Sequence, residues 1–192
     1  MRLDLHLHTT ASDGAWEPAE VVQGARAGGL HVIAITDHDT VAGVAGAQAT
    51  GAEVGLTVIA GCELSTTLDG REVHILGYGV DTTNAALLER GERARVRRRE
   101  RMAEMVERLR AQGIEVDLAA VEAVAGEGGM VGRPHLAEAL VGADHVASVD
   151  EAFDRLIGNA HDAWVSTDLG PPEEAIEVIL GNFAIRHLNA VV

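Results

Sequence analysis

Val32-Ile33-Ala34-Ile35 is a short, uninterrupted apolar run with Gly28-Gly29 before it and Thr36-Asp37 after it. A run of this length without polar alternation reads as a strand buried on both faces, and such a strand needs helices above and below it. The neighbouring segments supply them. Leu3 to Leu7 reads as a first strand, and Pro18 to Ala27 as a helix with Pro near its start and Gly28-Gly29 as its stop. The Ala-rich stretch Val41 to Thr50 reads as a second helix, Leu56 to Ala60 as a third strand and Val73 to Val80 as a fourth. Repeated βα units predict an α/β fold built as a barrel or an open parallel sheet.

From about Thr83 the pattern turns helical. Ala85 to Gln112 predicts one long helix stopped by Gly113, with Met102, Met105, Val106 and Leu109 at helical spacing as a core-facing stripe. Shorter helices are expected at Leu118 to Ala125, Pro134 to Val141 and Val149 to Ile157. Another starts at Pro171-Pro172-Glu173-Glu174, where an acidic first turn suits the helix dipole. Gly126 to Gly132 reads as a flexible link. The expected organisation is an α/β unit over 1–83, a helical insertion over 84–165 and a return to the first unit over 166–192. A chain of 192 residues is long enough for one domain with such an insertion.

Charge narrows the partners. A formal charge of −15 argues against a grip on long duplex DNA, which leans on basic surface. All fifteen basic residues are arginine, and most lie between Arg90 and Arg110, so a small anionic substrate is compatible with the chain. No apolar run approaches the roughly 18 residues of a membrane span, and no signal-like segment precedes the first strand. The expectation is a cytoplasmic protein without a membrane partner. The single cysteine, Cys62, rules out an internal disulfide and reads as a small buried side chain.

Six ligand-type groups punctuate the first half: His6 and His8 in Leu-His-Leu-His, Asp13 in Ser-Asp-Gly, His38 in Thr-Asp-His-Asp, Glu63 in Gly-Cys-Glu-Leu and His74 in Val-His-Ile-Leu-Gly. Histidines two apart on a strand share a face, where both imidazoles can hold one metal ion. Apart from Asp13, in the loop after the first strand, each group lies in or just after a predicted strand. Parallel α/β folds gather their working groups at strand carboxyl ends, so these positions are expected to converge on one site. His31, His145, His161 and His187 lack that context and read as ordinary hydrogen-bonded residues.

These motifs, together with Gly132-Arg133-Pro134-His135, resemble the PHP (polymerase and histidinol phosphatase) family. The branch most resembled is that of nucleoside 3′,5′-bisphosphate phosphatases and short-RNA 5′-exonucleases. The resemblance runs from Met1 to about Ile179. It implies a distorted (βα)7 barrel, up to three Mn, Zn, Fe or Mg ions, and hydrolysis of phosphate esters by a metal-activated water without a protein nucleophile. Carried over by position, His6 and His8 would hold one metal, Glu63 would bridge to a second that His74 also binds, and Asp13 and His38 would hold a third. A cluster of divalent cations would also offset much of the acidic charge. Arg133 and His135 resemble the family's phosphate-gripping pair, the alternative being packing at a helix start. Arg98 and Arg101, at i and i+3, are expected to offer forked donors to a substrate phosphate, the alternative being a solvated charged face.

After the Pro-Glu-Glu-Ala-Ile helix the family pattern ends. Members continue with a Gly-Gly turn, a strand ending in Ala-His-Pro and a later Asp-x-His pair. Here Leu180-Gly181-Asn182-Phe183 replaces the turn and His187 comes too early. Three ligands and the last barrel strands are absent, so the expected fold is an incomplete barrel with an open sheet edge. A fragment, a shifted frame near residue 180 and a naturally short product all give this pattern. The expected function is a metal-dependent phosphoesterase for small nucleotides or short oligonucleotides. The alternatives are a histidinol-phosphate-type phosphatase and a non-catalytic metal-binding remnant. A polymerase proofreading domain fits less well, because nothing polymerase-like follows.

Overall fold

The structure, a computed structural model, describes residues 1–126 and 128–182. Strands β1 (Leu3–Leu7), β2 (Val32–Ile35), β3 (Thr57–Leu68) and β4 (Arg71–Tyr78) form one sheet in that order. β1, β2 and β3 are parallel, joined through helices α1 (Pro18–Ala27) and α2 (Val44–Val54). Ile33, Ala34 and Ile35 have no exposed surface, as an uninterrupted apolar strand requires. Val21 and Val22 of α1 and Val44 and Ala47 of α2 pack with Ile33 and Ile35. Each such aliphatic side chain contributes about 1.5–3 kcal/mol through burial.

The βα alternation stops at β3, which corrects the sequence reading. β3 runs on to Leu68 instead of ending at Ala60, and β4 returns antiparallel, with Leu68 opposite Arg71 and Glu63 opposite Leu76. The reversal is a two-residue turn in which Asp69 and Gly70 both take left-handed backbone, at φ 49° and 74°. Two positive-φ positions are what a tight hairpin demands, and Asp-Gly is one of the sequences that adopt them readily. α2 also starts later than expected, at Val44, because residues 37–43 form the loop that carries His38.

α3 (Ala85–Ala111) is the longest helix described, about 40 Å at 1.5 Å per residue. The Asn84 side chain caps it by accepting from the Ala86 and Leu87 amides. Its first half packs Leu87 in a cluster with Cys62 and Leu64 of β3 and with Ala175 and Ile179 of α7 (Pro172–Asn182). In its second half Met102, Met105, Val106 and Leu109 form the expected core stripe. They pack against α4 (Leu118–Ala125), α5 (Arg133–Gly142) and α6 (Val149–Ala152), which continues into a π-helical turn at Phe153–Ile157. Within the segment expected to be a link, the Met130 amide donates to the Ala11 carbonyl at 3.2 Å, and Met130 and Val131 are buried. No described helix is long and apolar enough to cross a membrane. His187 and the end of the expected tail lie outside the described residues.

Candidate metal centre

The sheet brings the six groups together. The backbone of β2 continues past Ile35, so that His38 bridges to Glu63 in parallel register, the Asp39 amide donating to the Glu63 carbonyl at 2.9 Å. His74, on β4, lies diagonally across the hairpin from Glu63. Glu63 and His74 therefore sit within long hairpin strands, not at strand ends as the parallel pattern predicts. His6 and His8 lie at the end of β1, where the register against β2 shifts between Asp4 and Leu7.

Glu63 is the hub. Its Oε2 lies 2.8 Å from His6 Nε2 and 2.9 Å from His8 Nε2, while its Oε1 lies 2.9 Å from His74 Nδ1. Asp13 approaches from the other side, Oδ1 at 2.8 Å from His8 Nδ1 and Oδ2 at 3.6 Å from His38 Nε2. The imidazoles follow one another at ring separations of 5.1, 4.6 and 4.8 Å along His6, His8, His38 and His74. Three overlapping sets present ligand atoms within 4.8 Å of one another: His6, His8 and Glu63; His8, Asp13 and His38; and His38, Glu63 and His74. His31, His145 and His161 belong to none of them; His145 Nε2 meets the Glu115 carbonyl and His161 Nε2 the Asp154 carbonyl.

Proton affinities are pulled apart within the cluster. Burial opposes charge on His8, but hydrogen bonds to Asp13 and Glu63 outweigh it and lift the imidazole to about 9. Burial together with the nearby Arg98 guanidinium pushes His38 down to about 4. Asp13 falls to about 2 and Glu63 below the ordinary carboxylate range, because their histidine partners outweigh the cost of burial. The donor set fits divalent transition ions, since imidazole nitrogen suits them and a carboxylate with two ligating oxygens can serve two cations. A further sign of fit is His38 Nδ1, which is buried without a hydrogen-bond partner, 3.7 Å from Glu63 Oε2.

A supporting layer fixes these side chains, and sequence reasoning assigned it no role. The Asp37 carboxylate accepts from the Thr9 amide at 2.7 Å, from Thr9 Oγ1 at 2.8 Å and from Ser12 Oγ at 2.7 Å, which locks the loop between His8 and Asp13. Gly14 closes that loop: a Cβ there would come within 2.4 Å of the His8 carbonyl group. Asp39 is buried in left-handed backbone at φ 54°, where its carboxylate accepts from the Ser65 amide at 2.8 Å and from Arg98 at 2.9 and 3.1 Å. Despite burial, Arg98 and the Ser65 bonds hold Asp39 below the usual carboxylate value. The signal was present in Thr36-Asp37-His38-Asp39, where two carboxylates flank a ligand-type histidine.

The four residues expected to bind substrate take different positions. Arg98 and Arg101 are buried, so a solvated charged face is excluded, and most of their donors serve the protein itself. Arg98 reaches Asp39 and Ser65 Oγ, while Arg101 reaches the Val165 carbonyl and Glu72. Of the nitrogens of these two guanidinium groups, only Arg101 Nη2 is buried without a hydrogen-bond partner. Arg133 lies nearer the surface, donating to Asn159 Oδ1 at 2.5 Å, with its guanidinium carbon 5.5 Å from the centre of the Phe153 ring. His135 is buried, and its Nδ1 accepts from the Gly132 amide at 2.9 Å, at the start of α5.

The chain is 36% identical over 178 residues to a 5′-3′ exoribonuclease of Haemophilus influenzae, covering 93% of this chain and 64% of that protein. It is 32% identical over 179 residues to a 3′,5′-nucleoside bisphosphate phosphatase of Chromobacterium violaceum, covering 93% and 63%. A solved structure from Bifidobacterium adolescentis, described as that of a metal-dependent phosphoesterase, superposes with a TM-score of 0.89 at 33% identity, covering 95% of this chain and 64% of that one. The chain thus spans less than two thirds of the length of these relatives. A sequence model of the PHP domain matches residues 4–178, nearly the whole chain, and the chain belongs to the PHP domain family.

Proposed function

We propose that the chain is a metal-dependent phosphoesterase acting on small nucleotides or short oligonucleotides. The observation that carries this reading is the convergence of four imidazoles and two carboxylates around Glu63. In this reading His6, His8 and Glu63 would hold one divalent ion, Glu63 and His74 a second, and Asp13 and His38 a third. Bound divalent ions supply a water acidified toward neutral pH and draw charge from phosphoryl oxygens. The chain's own residues do the positioning. Glu63 orients His6, His8 and His74; Asp37 holds the Asp13 loop; Asp39 and Arg98 fix the turn that carries His38. Arg133 grips a substrate phosphate through its guanidinium fork, and His135 keeps the Gly132 turn in place. The strands are read as part of a distorted (βα)7 barrel, with residues 84–165 as an insertion that brings Arg133 to the site.

The choice of a nucleotide substrate over other phosphate esters follows the names of the relatives: exoribonuclease and nucleoside bisphosphate phosphatase. Assaying phosphate release from 3′,5′-bisphosphoadenosine and from histidinol phosphate side by side, with added Mn²⁺, tests it. Release from the bisphosphate alone supports the reading. Release only from histidinol phosphate replaces the substrate class, and metal uptake with no release from either makes the chain a non-catalytic metal binder.

A further inference from the structure

Three guanidinium groups, of Arg98, Arg101 and Arg133, meet two carboxylates: Asp39, next to His38 in the chain, and Glu72, two residues before His74. Asp39 belongs to Arg98. Glu72 is shared: its Oε1 accepts from Arg101 Nη1 at 2.9 Å and from Thr167 Oγ1 at 3.2 Å, while its Oε2 lies 3.4 Å from Arg133 Nη2. Glu72 stands two residues before His74 on β4, so both side chains leave the same face of the strand.

The two sides of this contact are unequal. Arg101 is 6% exposed, and its Nε donates to the Val165 carbonyl at 2.8 Å, so this buried cation depends on Glu72 for charge balance. Arg133 is looser. Its 3.4 Å approach to Glu72 exceeds the roughly 2.7–2.9 Å of a strong charge-assisted bond, and its side chain retains 21% exposure. Asn159, the Phe153 ring and Glu72 together set its direction while leaving part of its five-donor fork free.

We propose that Glu72 is a positioning residue for phosphate recognition. Anchored by Arg101 and Thr167, it aims the Arg133 fork toward the metal centre, and Arg133 supplies the donors that a substrate phosphate accepts. Glu72 itself, an anion, does not touch the phosphate, and Arg101 acts through Glu72. This rests on the reading of Arg133 as the phosphate-binding group. It predicts that Glu72 and Arg133 behave as one unit.

The test is titration calorimetry of 3′,5′-bisphosphoadenosine into the Mn²⁺-loaded 192-residue chain, with metal content and phosphate release measured on the same samples. Arg133→Ala and Glu72→Gln are each expected to weaken binding about tenfold or more, the range for losing one charged hydrogen bond. The double variant should bind no more weakly than Arg133→Ala, and metal content should be unchanged throughout. Should Glu72→Gln fail to fold because Arg101 loses its counter-charge, Glu72→Asp keeps a counter-charge near Arg101 while shortening the reach of the carboxylate, which the already long 3.4 Å approach to Arg133 tolerates least. It should melt like the wild type and bind more weakly. Unchanged binding in a folded Glu72 variant, losses that multiply in the double variant, or no binding by the wild type overturns the proposal. Coupled binding without phosphate release leaves it standing while the phosphoesterase reading falls; release with independent effects does the reverse.

Discussion

At Glu63 one carboxylate meets three imidazoles within 2.9 Å, a density of contacts that gives single substitutions there large effects. Glu63→Ala is expected to lower bound metal and abolish hydrolysis together; metal content at the wild-type level would contradict the assignment. Arg98 and Asp39 form a buried pair, and removing one partner leaves an uncompensated buried charge. Arg98→Met should therefore cost about 3–5 kcal/mol in urea denaturation, and a loss under 1 kcal/mol would contradict it. His135 gives a pH signature. Burial pushes its imidazole below the ordinary value of about 6.5. Between that value and the lower folded one the unfolded chain binds the extra proton, so stability rises with pH across the window and is lost as pH falls through it. Denaturation midpoints between pH 7 and pH 5 should fall less steeply in His135→Asn than in the wild type, and equal slopes would refute this. All six clustered groups were legible in sequence because each stands in a short motif. Asp37, Asp39 and Glu72 were not assigned, because a carboxylate's role depends on which distant guanidinium or amide it meets.

Among the elements, β2 and α3 were plain from composition and period: an apolar run for the one, a methionine and aliphatic stripe for the other. The β3–β4 hairpin was missed because Leu68-Asp69-Gly70-Arg71 lies between segments that also fit a βα scheme, and the turn signal went unread. Which strand end carries a ligand group changed accordingly, although the convergence did not. Leu109, fully buried between α3 and the helices that follow, should lose about 2–5 kcal/mol on substitution by Ala; a loss below 1 kcal/mol would show that this face is not core. Gly14→Ala tests the loop. A methyl group 2.4 Å from the His8 backbone must displace Asp13, so metal content should drop, whereas an unaltered content would show that the loop yields elsewhere.

For the molecule as a whole, divalent cations held by the clustered carboxylates and imidazoles would offset part of the formal charge of −15. An ion that binds only the folded chain stabilises it by mass action, by about 2.7 kcal/mol when it is present at 100 times its dissociation constant. Addition of Mn²⁺ should therefore raise the melting temperature, and EDTA should lower it again. The sheet, the helices that follow it and the cluster of candidate ligand groups fall within the span that matches the PHP domain, apart from the outermost residues. Whether this chain hydrolyses a nucleotide phosphate ester is tested most directly by phosphate release from 3′,5′-bisphosphoadenosine, with Mn²⁺ added and bound metal measured on the same sample, for the wild type and His8→Ala. Release that disappears together with metal in His8→Ala is the predicted result. Bound metal with no release from the wild type, or release that survives in His8→Ala, would contradict the account.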